Sequence, residues 1–433
     1  MFGYYLGLAV LSLKRSRALT ALMICAIALG IGASMTTLTM LHVLSADPLP
    51  GRSDKIFHPA IDPRPLANFK PGEPPGLQIS WTDGNNLLRD HRGTRQALMG
   101  GGRVAVQPPD AREDPFFAFS RYTTADMFEM FGIRFIQGGG WRASDDDARA
   151  RVVVITEDLA RQLFGTAQAV GRSMRVEDNE LKVIGVIEDW KPEPHFYDLN
   201  VGSYGRYEQV FLPLTTARAL KFGRAGSISC WGGGNIGNDL ETQPCEWLQY
   251  WVQLDDAAQR DAYRDYLVHY SQEQHRLGRF EREPNVRLDD VAGWLDFNKV
   301  VPGDVRLQAW LALSFLVVCL VNTVALMLAK FLRRSGEVGV RRALGASRRD
   351  VLVQLLCEAG IIGLAGGVGG LLLTWLGLAL VRSQPTAYAK LASLDLPMLG
   401  ATFALAIVSA LAAGLLPAWR ACLIAPALQL KID

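Results

Sequence analysis

The residue types that carry chemistry are all present in this 433-residue chain, but few stand at the spacings chemistry needs. Nucleotide hydrolysis asks for a glycine-rich loop ending in Gly-Lys-Ser or Gly-Lys-Thr, whose backbone amides cradle phosphates. No glycine here is followed by lysine, so this chain does not carry that loop. The glycine clusters at 100–102, 138–140 and 232–234 do not open a helix after a strand, and they read as turns. The six histidines, at 42, 58, 91, 195, 269 and 275, are scattered, with neither His-Glu-x-x-His nor Cys-x-x-Cys nearby. They read as surface or locally hydrogen-bonded residues, and no metal site is expected. Asp145, Asp146 and Asp147 read as a solvated acidic loop. Ser, His and Asp are plentiful, yet spacing alone assembles no triad. No catalytic residue is assigned, and an enzyme is not expected.

Four features keep a chemical reading. Cys230 and Cys245 bracket a glycine-rich stretch in the large middle segment, and a disulfide is expected there. Two free thiols or a metal pair are the alternatives, the latter without further ligands nearby. Lys330 to Arg349, KFLRRSGEVGVRRALGASRR, sets seven basic residues against a single acid, Glu337, between two apolar runs. Its segment from Gly336 to Leu344 can form two or three helical turns, with Glu337 and Arg341 spaced i,i+4. Charge alone leaves two readings open: a solvated loop that fixes topology, or a small helix on which a cytoplasmic partner presses. Glu358 is the one acid in the third apolar run, a functional candidate by default. It is expected near the interface, paired with a loop arginine or close to water. Asn322, in the second run, reads as a helix–helix hydrogen bond.

The elements that position these residues follow from apolar length. A bilayer span needs roughly 20 mostly apolar residues. Four stretches qualify, at about 18–44, 307–329, 351–381 and 398–420. The 45 Lys+Arg nearly balance the 43 Asp+Glu, which argues against a nucleic-acid partner. Lys14, Arg15 and Arg17 before the first run place the N-terminus in the cytoplasm, and alternation puts the C-terminus there too. The first run exceeds a signal-peptide core of about 7–15 residues and reads as a retained anchor. The expected class is a membrane protein of four transmembrane α-helices with a large α/β extracytoplasmic domain between helices 1 and 2. Its parts are an interfacial helix (1–17), the first span and stalk (18–45), and the external domain (46–304). The second span (305–329), cytoplasmic loop (330–350), third span (351–381), outer loop (382–397), fourth span (398–420) and cytoplasmic tail (421–433) follow.

Within the external domain, strand-like alternation and helical runs take turns. Residues 248–290 read as strand–helix–strand. They form one half of a small α/β sandwich whose other half lies at about 53–118, with an inserted subdomain at about 119–245. Thr82 or Asp83 is the expected cap of one helix and Thr156 of another. Trp231, Trp247, Trp251 and Trp294 fit either an apolar groove or a core.

The stretch NTVALMLAKFLRRSGEVGVRRALGASRRDVLVQLLCEA resembles the MacB/FtsX family of ABC transporter permeases. The residues matching its loop pattern are Glu337, Val338, Gly339, Val340, Arg341, Arg342, Ala343, Leu344, Gly345 and Ala346, then Arg348, Arg349 and Asp350. YTTADMFEMFGIRFIQGGGW, VVVITEDLARQLFG, LKVIGVIED and LPAWRACLIAPALQL are similar to its external domain and C-terminal exit. The resemblance implies that Gly336 to Ala346 is the coupling helix and that the chain binds no cofactor directly. ATP and magnesium would act through a cytoplasmic ATPase dimer, and a second permease subunit, identical or related, would complete the membrane part. A periplasmic adaptor and an outer-membrane channel are further implied partners, in a bacterial inner membrane whose lipids surround the spans. MacB carries its ATPase fused in front, whereas about seventeen residues precede the first span here, so a separate ATPase is expected. The stretch 227–247 has no evident family counterpart. Mechanotransmission for efflux of a peptide, antibiotic or siderophore-like cargo is the leading expectation. Activation of a cell-wall hydrolase is second, lipoprotein or lipid extraction third, and a membrane-anchored enzyme last.

Overall fold

The computed structural model describes residues 7, 12–13, 15–67, 69–109, 114–205, 207–232, 239–333, 335–384, 389–394 and 396–423. Of Ser335, Glu337, Val338, Ala343, Lys390 and residues 421–423 it describes the backbone alone. Two compact units result, one from residues 1–45 and 301–433, the other from 46–300.

The membrane unit is built on four helices long and apolar enough to span, Arg17–Leu44, Gly303–Arg333, Arg348–Arg382 and Leu396–Leu423. The third has 35 residues. At about 1.5 Å per residue it is about 52 Å long, well beyond a hydrocarbon core of about 30 Å. The first span packs against each of the other three. Glycine makes this possible. A Cβ on Gly366 or Gly370 would come within 2.6 or 2.7 Å of a methyl of Ile27 or Ile31, and one on Gly30 within 2.8 Å of Leu316. The second and third helices run past the apolar limits into the basic segment, so Lys330, Arg333, Arg348 and Arg349 are helical rather than loop residues. The fourth runs to Leu423, beyond the expected limit of 420. Most of the interfacial segment 1–17 and the tail from 424 lie outside the described residues.

The external unit is a 13-stranded mixed sheet. Its strands are β1 (Ile56–Ala60), β2 (Ile79–Ser80), β3 (Arg95–Gln107), β4 (Phe116–Thr123), β5 (Phe135–Gly138), β6 (Val152–Thr156) and β7 (Ser173–Val176). Then come β8 (Asn179–Ile187), β9 (Val210–Pro213), β10 (Arg224–Ala225), β11 (Ser229–Cys230), β12 (Cys245–Gln253) and β13 (Arg287–Asp290). The main path is β13-β1-β12-β3-β4-β9-β6-β8-β5, with β4–β9 and β6–β8 parallel. Both faces are covered, and β12 shows why its run of apolar residues is nearly unbroken. Leu248, Tyr250 and Val252 point into one core and Trp251 into the other, as period-two alternation requires. Helix Ala257–Arg276 lays Tyr263, Leu267 and Tyr270 on the first core and is capped by Asp256, which accepts from Gln259 N at 2.8 Å.

Arg121 on β4 is fully buried. It donates to Asp198 at 2.6 Å and to Glu208, which also accepts from His195 Nε2 at 3.2 Å and from the Tyr197 hydroxyl. Burial pushes the Glu208 carboxyl up, but Arg121 and His195 outweigh that and hold it well below the usual carboxylate range. These bonds fasten the loop 188–209 to the sheet.

Several local expectations change. Residues 100–102 lie inside β3 rather than in a turn, because Gly102 packs against the Tyr122 hydroxyl, where a Cβ would sit only 2.6 Å from Ser120 Oγ. Asp145 to Asp147 fall in a short helix, Ala143–Asp147. Asp146 is buried, accepts from Ala125 N at 3.0 Å, and is pushed up by burial to about 7. The helix Trp81–Asp90 is capped by Ser80, not Thr82 or Asp83, while Thr156 caps its helix as expected. His58 is a core residue stacked 3.7 Å from Trp294, and burial lowers it to about 3.

Cys230 and Cys245 sit opposite each other in the β11–β12 pair and are disulfide-bonded, while 233–238 of the loop they close lie outside the described residues. Beside them Glu246 is buried, and burial pushes its carboxyl from 4.5 to about 8, with nearby Arg64 opposing. Between those two pH values the folded state keeps a proton that the unfolded state releases, so this residue's contribution to stability falls as pH rises. The thermal stability of the full chain in detergent is predicted to receive progressively less from this residue between pH 4.5 and 8. Glu246→Gln should flatten that part of the profile, and an unchanged slope would contradict the assignment.

Candidate functional site

The segment between the second and third spans folds by ordinary helix punctuation. A helix covers Ser335–Ala343, and its end is closed by Leu344 N donating to Val340 O at 3.0 Å and Ala346 N to Arg341 O at 3.1 Å. Gly345 has φ +101°, a backbone conformation that side chains resist, so this turn selects glycine. Two residues later a capping box starts the third span. Ser347 Oγ accepts from Asp350 N at 3.2 Å, and Asp350 Oδ2 accepts from Ser347 N at 3.0 Å. The run Leu-Gly-Ala-Ser-Arg-Arg-Asp therefore encodes one stop and one start. This leaves the segment as a short staple between two long helices.

Its faces differ. Gly339 is buried, Arg341, Arg342 and Ala346 are half-buried, and Gly345 is exposed. Arg341 Nη1 donates to Gln354 Oε1 of the third span at 2.8 Å, tying the staple to that helix. Val340 and Leu344, one turn apart, are 48% and 83% exposed and form an apolar knob. The side chains of Glu337, Val338 and Ala343 lie outside the described residues, so the Glu337–Arg341 spacing stays a sequence expectation.

Behind the staple lies a buried ion pair that the sequence reading missed. Glu358 of the third span is fully buried and pairs with Lys330 of the second, itself 2% exposed. Ser12 Oγ donates to Glu358 Oε1 at 2.7 Å, and Lys330 Nζ donates to Thr20 Oγ1 of the first span at 3.3 Å. The expectation that Glu358 meets a loop arginine or water is thus corrected, and so is the view of Lys330 as a topology marker. The physical reason is that the second helix continues past its apolar limit at 329, which puts Lys330 on a helix facing Glu358. A lone acid in one span and a lysine at the end of the preceding one were the available signal.

Of the two readings of the tryptophans, groove or core, the core holds. Trp247, Trp251 and Trp294 are all buried in the external cores, and only Trp231 is half-buried. Cys319 is buried, Cys357 half-buried and Cys25 exposed, while Cys422 lies outside the described side chains.

Known families match both units. Residues 20–270 match the MacB-like periplasmic core domain, and 310–426 match the FtsX-like permease C-terminal domain. The chain belongs to the MacB/FtsX family of ABC permeases. Among curated MacB/FtsX relatives, macrolide export ATP-binding/permease protein MacB 1/2 of Paracoccus denitrificans is 29% identical over 305 residues, 70% of this chain and 40% of that protein. Pyoverdine export ATP-binding/permease protein PvdT of Pseudomonas aeruginosa is 24% identical over 330 residues, 76% of this chain and 44% of that protein. The chain thus spans less than half of the length of these relatives. The crystal structure of the periplasmic region of MacB from Actinobacillus actinomycetemcomitans covers 60% of this chain and 99% of its own. Its TM-score is 0.38 at 12% identity, a likeness too weak to carry an argument.

Breaking a buried ion pair by removing one partner costs about 3–5 kcal/mol, whereas replacing both by apolar residues is often neutral. Glu358→Ala or Lys330→Ala alone should therefore lower the thermal stability of the full chain in detergent. Glu358→Met with Lys330→Met should regain most of it. Additive losses in the double variant would show that the two residues do not act as a pair.

Proposed function

We propose that this chain is the membrane half of a MacB-type ABC transporter, moved by an ATPase that binds the staple on the cytoplasmic side. The observation that carries this reading is the staple itself. It is short, it is stopped and started by Gly345 and the Ser347 box, and it is tied by Arg341 to Gln354. Behind it the Lys330–Glu358 pair fastens the second and third spans together. A push on such a segment moves whole helices rather than bending a loop. The chain enters the external unit from the first span and leaves it into the second, so helix movement is passed to a domain on the other side.

ATP and magnesium act in the ATPase; the 433 residues here contain no glycine followed by lysine and so no phosphate-binding loop of that type. The spans carry few charges from which a polar path for cargo could be built, which favours transmission of movement over conduction. The cargo is a periplasmic peptide, antibiotic or similar compound, passed to an adaptor and an outer-membrane channel. Relatives named for macrolide and pyoverdine export support this class. Regulation of a wall hydrolase and lipid extraction find less support, the latter because its aromatic groove is packed away.

The docking contact is the Val340–Leu344 knob rather than Arg341, whose side chain is engaged with Gln354. Val340→Asp with Leu344→Asp should weaken co-purification of the ATPase by about tenfold or more, the loss expected when two apolar side chains no longer bury. The variant should keep wild-type thermal stability. Unchanged recruitment would remove the knob from the docking surface.

A further inference from the structure

The external unit holds a cavity of about 580 Å³ that the transmission of movement does not use. Small-molecule sites commonly measure about 300–1,000 Å³. The walls come from the turn after residue 50, the short helix Met127–Met130 with the residues that follow it, the start of β3 and the end of β12. Phe128, Met130 and Ile133 belong to the same core as Trp251 and give the cavity an apolar floor.

Its charges are unequal. Arg52, Lys55 and Arg95 stand against Glu129 and Asp255, three cations to two acids, a net charge of +1. Arg95 is neutralised in place, its Nε and Nη2 donating to Glu129 Oε2 at 3.0 and 2.7 Å. Asp255 accepts from Gln253 Nε2 and from Thr94 Oγ1, each at 2.7 Å. These bonds, with the nearby charge of Lys55, hold its carboxyl below the usual range. Arg52 is aimed rather than neutralised. Its Nη1 donates to the carbonyls of Glu129 and Met130 at 2.9 and 3.4 Å. A Cβ on Gly132, which has φ +66°, would come within 3.0 Å of Arg52 Nε, so the guanidinium rests on bare backbone. The exposed Lys55 ammonium, and Nε and Nη2 of Arg52, make no hydrogen bond or ion pair among the described residues.

We propose that this cavity binds a small monocarboxylate with an apolar body, its carboxylate held by Arg52 and Lys55 and its body lying on Phe128, Met130 and Ile133. Donor geometry favours a carboxylate, because a guanidinium held flat presents its remaining N–H groups as a fork that fits two oxygens. Charge selects it over a phosphate monoester. One negative charge balances the lining, whereas a phosphate monoester carries about −1.5 to −2 and would face Glu129 and Asp255 with charge to spare. Volume excludes a bare ion as the natural occupant, since a carboxylate alone would leave most of the space and the apolar floor unused. A fatty acid and the C-terminal end of a peptide share this chemistry. The site asks nothing of the staple or of the spans, so it stands independently of the coupling reading.

The test is calorimetric titration of the full chain in non-ionic detergent with hexanoate, N-acetylphenylalanine and acetyl-Leu-Ala-Leu, each beside its carboxamide, and with inorganic phosphate. At least one acid should bind about fivefold tighter than its carboxamide, the scale of a partly exposed charge pair. Tightest binding of the tripeptide identifies a peptide end as the source, and tightest binding of hexanoate a fatty acid. Lys55→Gln and Arg52→Gln should each weaken the acid about fivefold, while Lys221→Gln, at an exposed lysine outside the cavity, should leave it unchanged. A second measurement on the wild type is independent of how the variants fold. Bound acid should slow acetylation of Lys55 by acetic anhydride and leave that of Lys221 unaltered. Equal affinity of every acid and its carboxamide, binding of phosphate without any acid, or an acid that leaves Lys55 unprotected would overturn the proposal.

Discussion

The membrane unit depends on one constraint: two charges placed among apolar helices must find each other. Glu358 and Lys330 are almost wholly removed from solvent, and each also has a hydroxyl partner, Ser12 or Thr20. In a low-dielectric setting the cost of separating such a pair is several times that of an exposed one. Sliding or rotating either helix would bare a charge, so the pair fixes the register of the second and third spans against each other. The thirteen residues 335–347 between them inherit that register. Their geometry is then set by local rules alone, namely a helix stop at Gly345 and a start at Ser347.

Much of this was legible in the sequence, for reasons that differ by element. Apolar length marked four spans within a few residues, because the hydrocarbon thickness leaves little choice. The spans' true ends were less visible, since helices continue through charged residues once those residues have partners, as Lys330 does. The basic segment was recognisable as a family pattern, but its outer face was not. Charge drew the eye to Arg341 and Arg342, whereas packing turns Arg341 toward Gln354 and leaves Val340 and Leu344 outward. In the external unit, strands with simple alternation were readable. The stretch at 100–102 was not, because a mid-strand glycine is selected by a neighbour on another strand, here Tyr122, and no local signal announces that.

The two units use buried polarity in the same way on different scaffolds. Arg121, Glu208, Asp198 and His195 pin a loop to the sheet as Lys330 and Glu358 pin two spans. In both, complete pairing turns costly groups into markers of a single arrangement, and a body that holds one arrangement moves as a whole when pushed. Asn322 is the exception: its side chain is exposed and makes no hydrogen bond among the described residues, so the expected helix–helix bond is not seen there.

The central claim is that a push on the staple reaches the external unit through helices locked by the ion pair. Hydrogen exchange of the full chain bound to its ATPase, with and without ATP, tests this most directly. ATP should change exchange in peptides of the 46–300 unit in the wild type. The change should be lost in Glu358→Ala while ATPase binding is kept. An ATP-dependent change of equal size in that variant, or none in the wild type, would contradict the account.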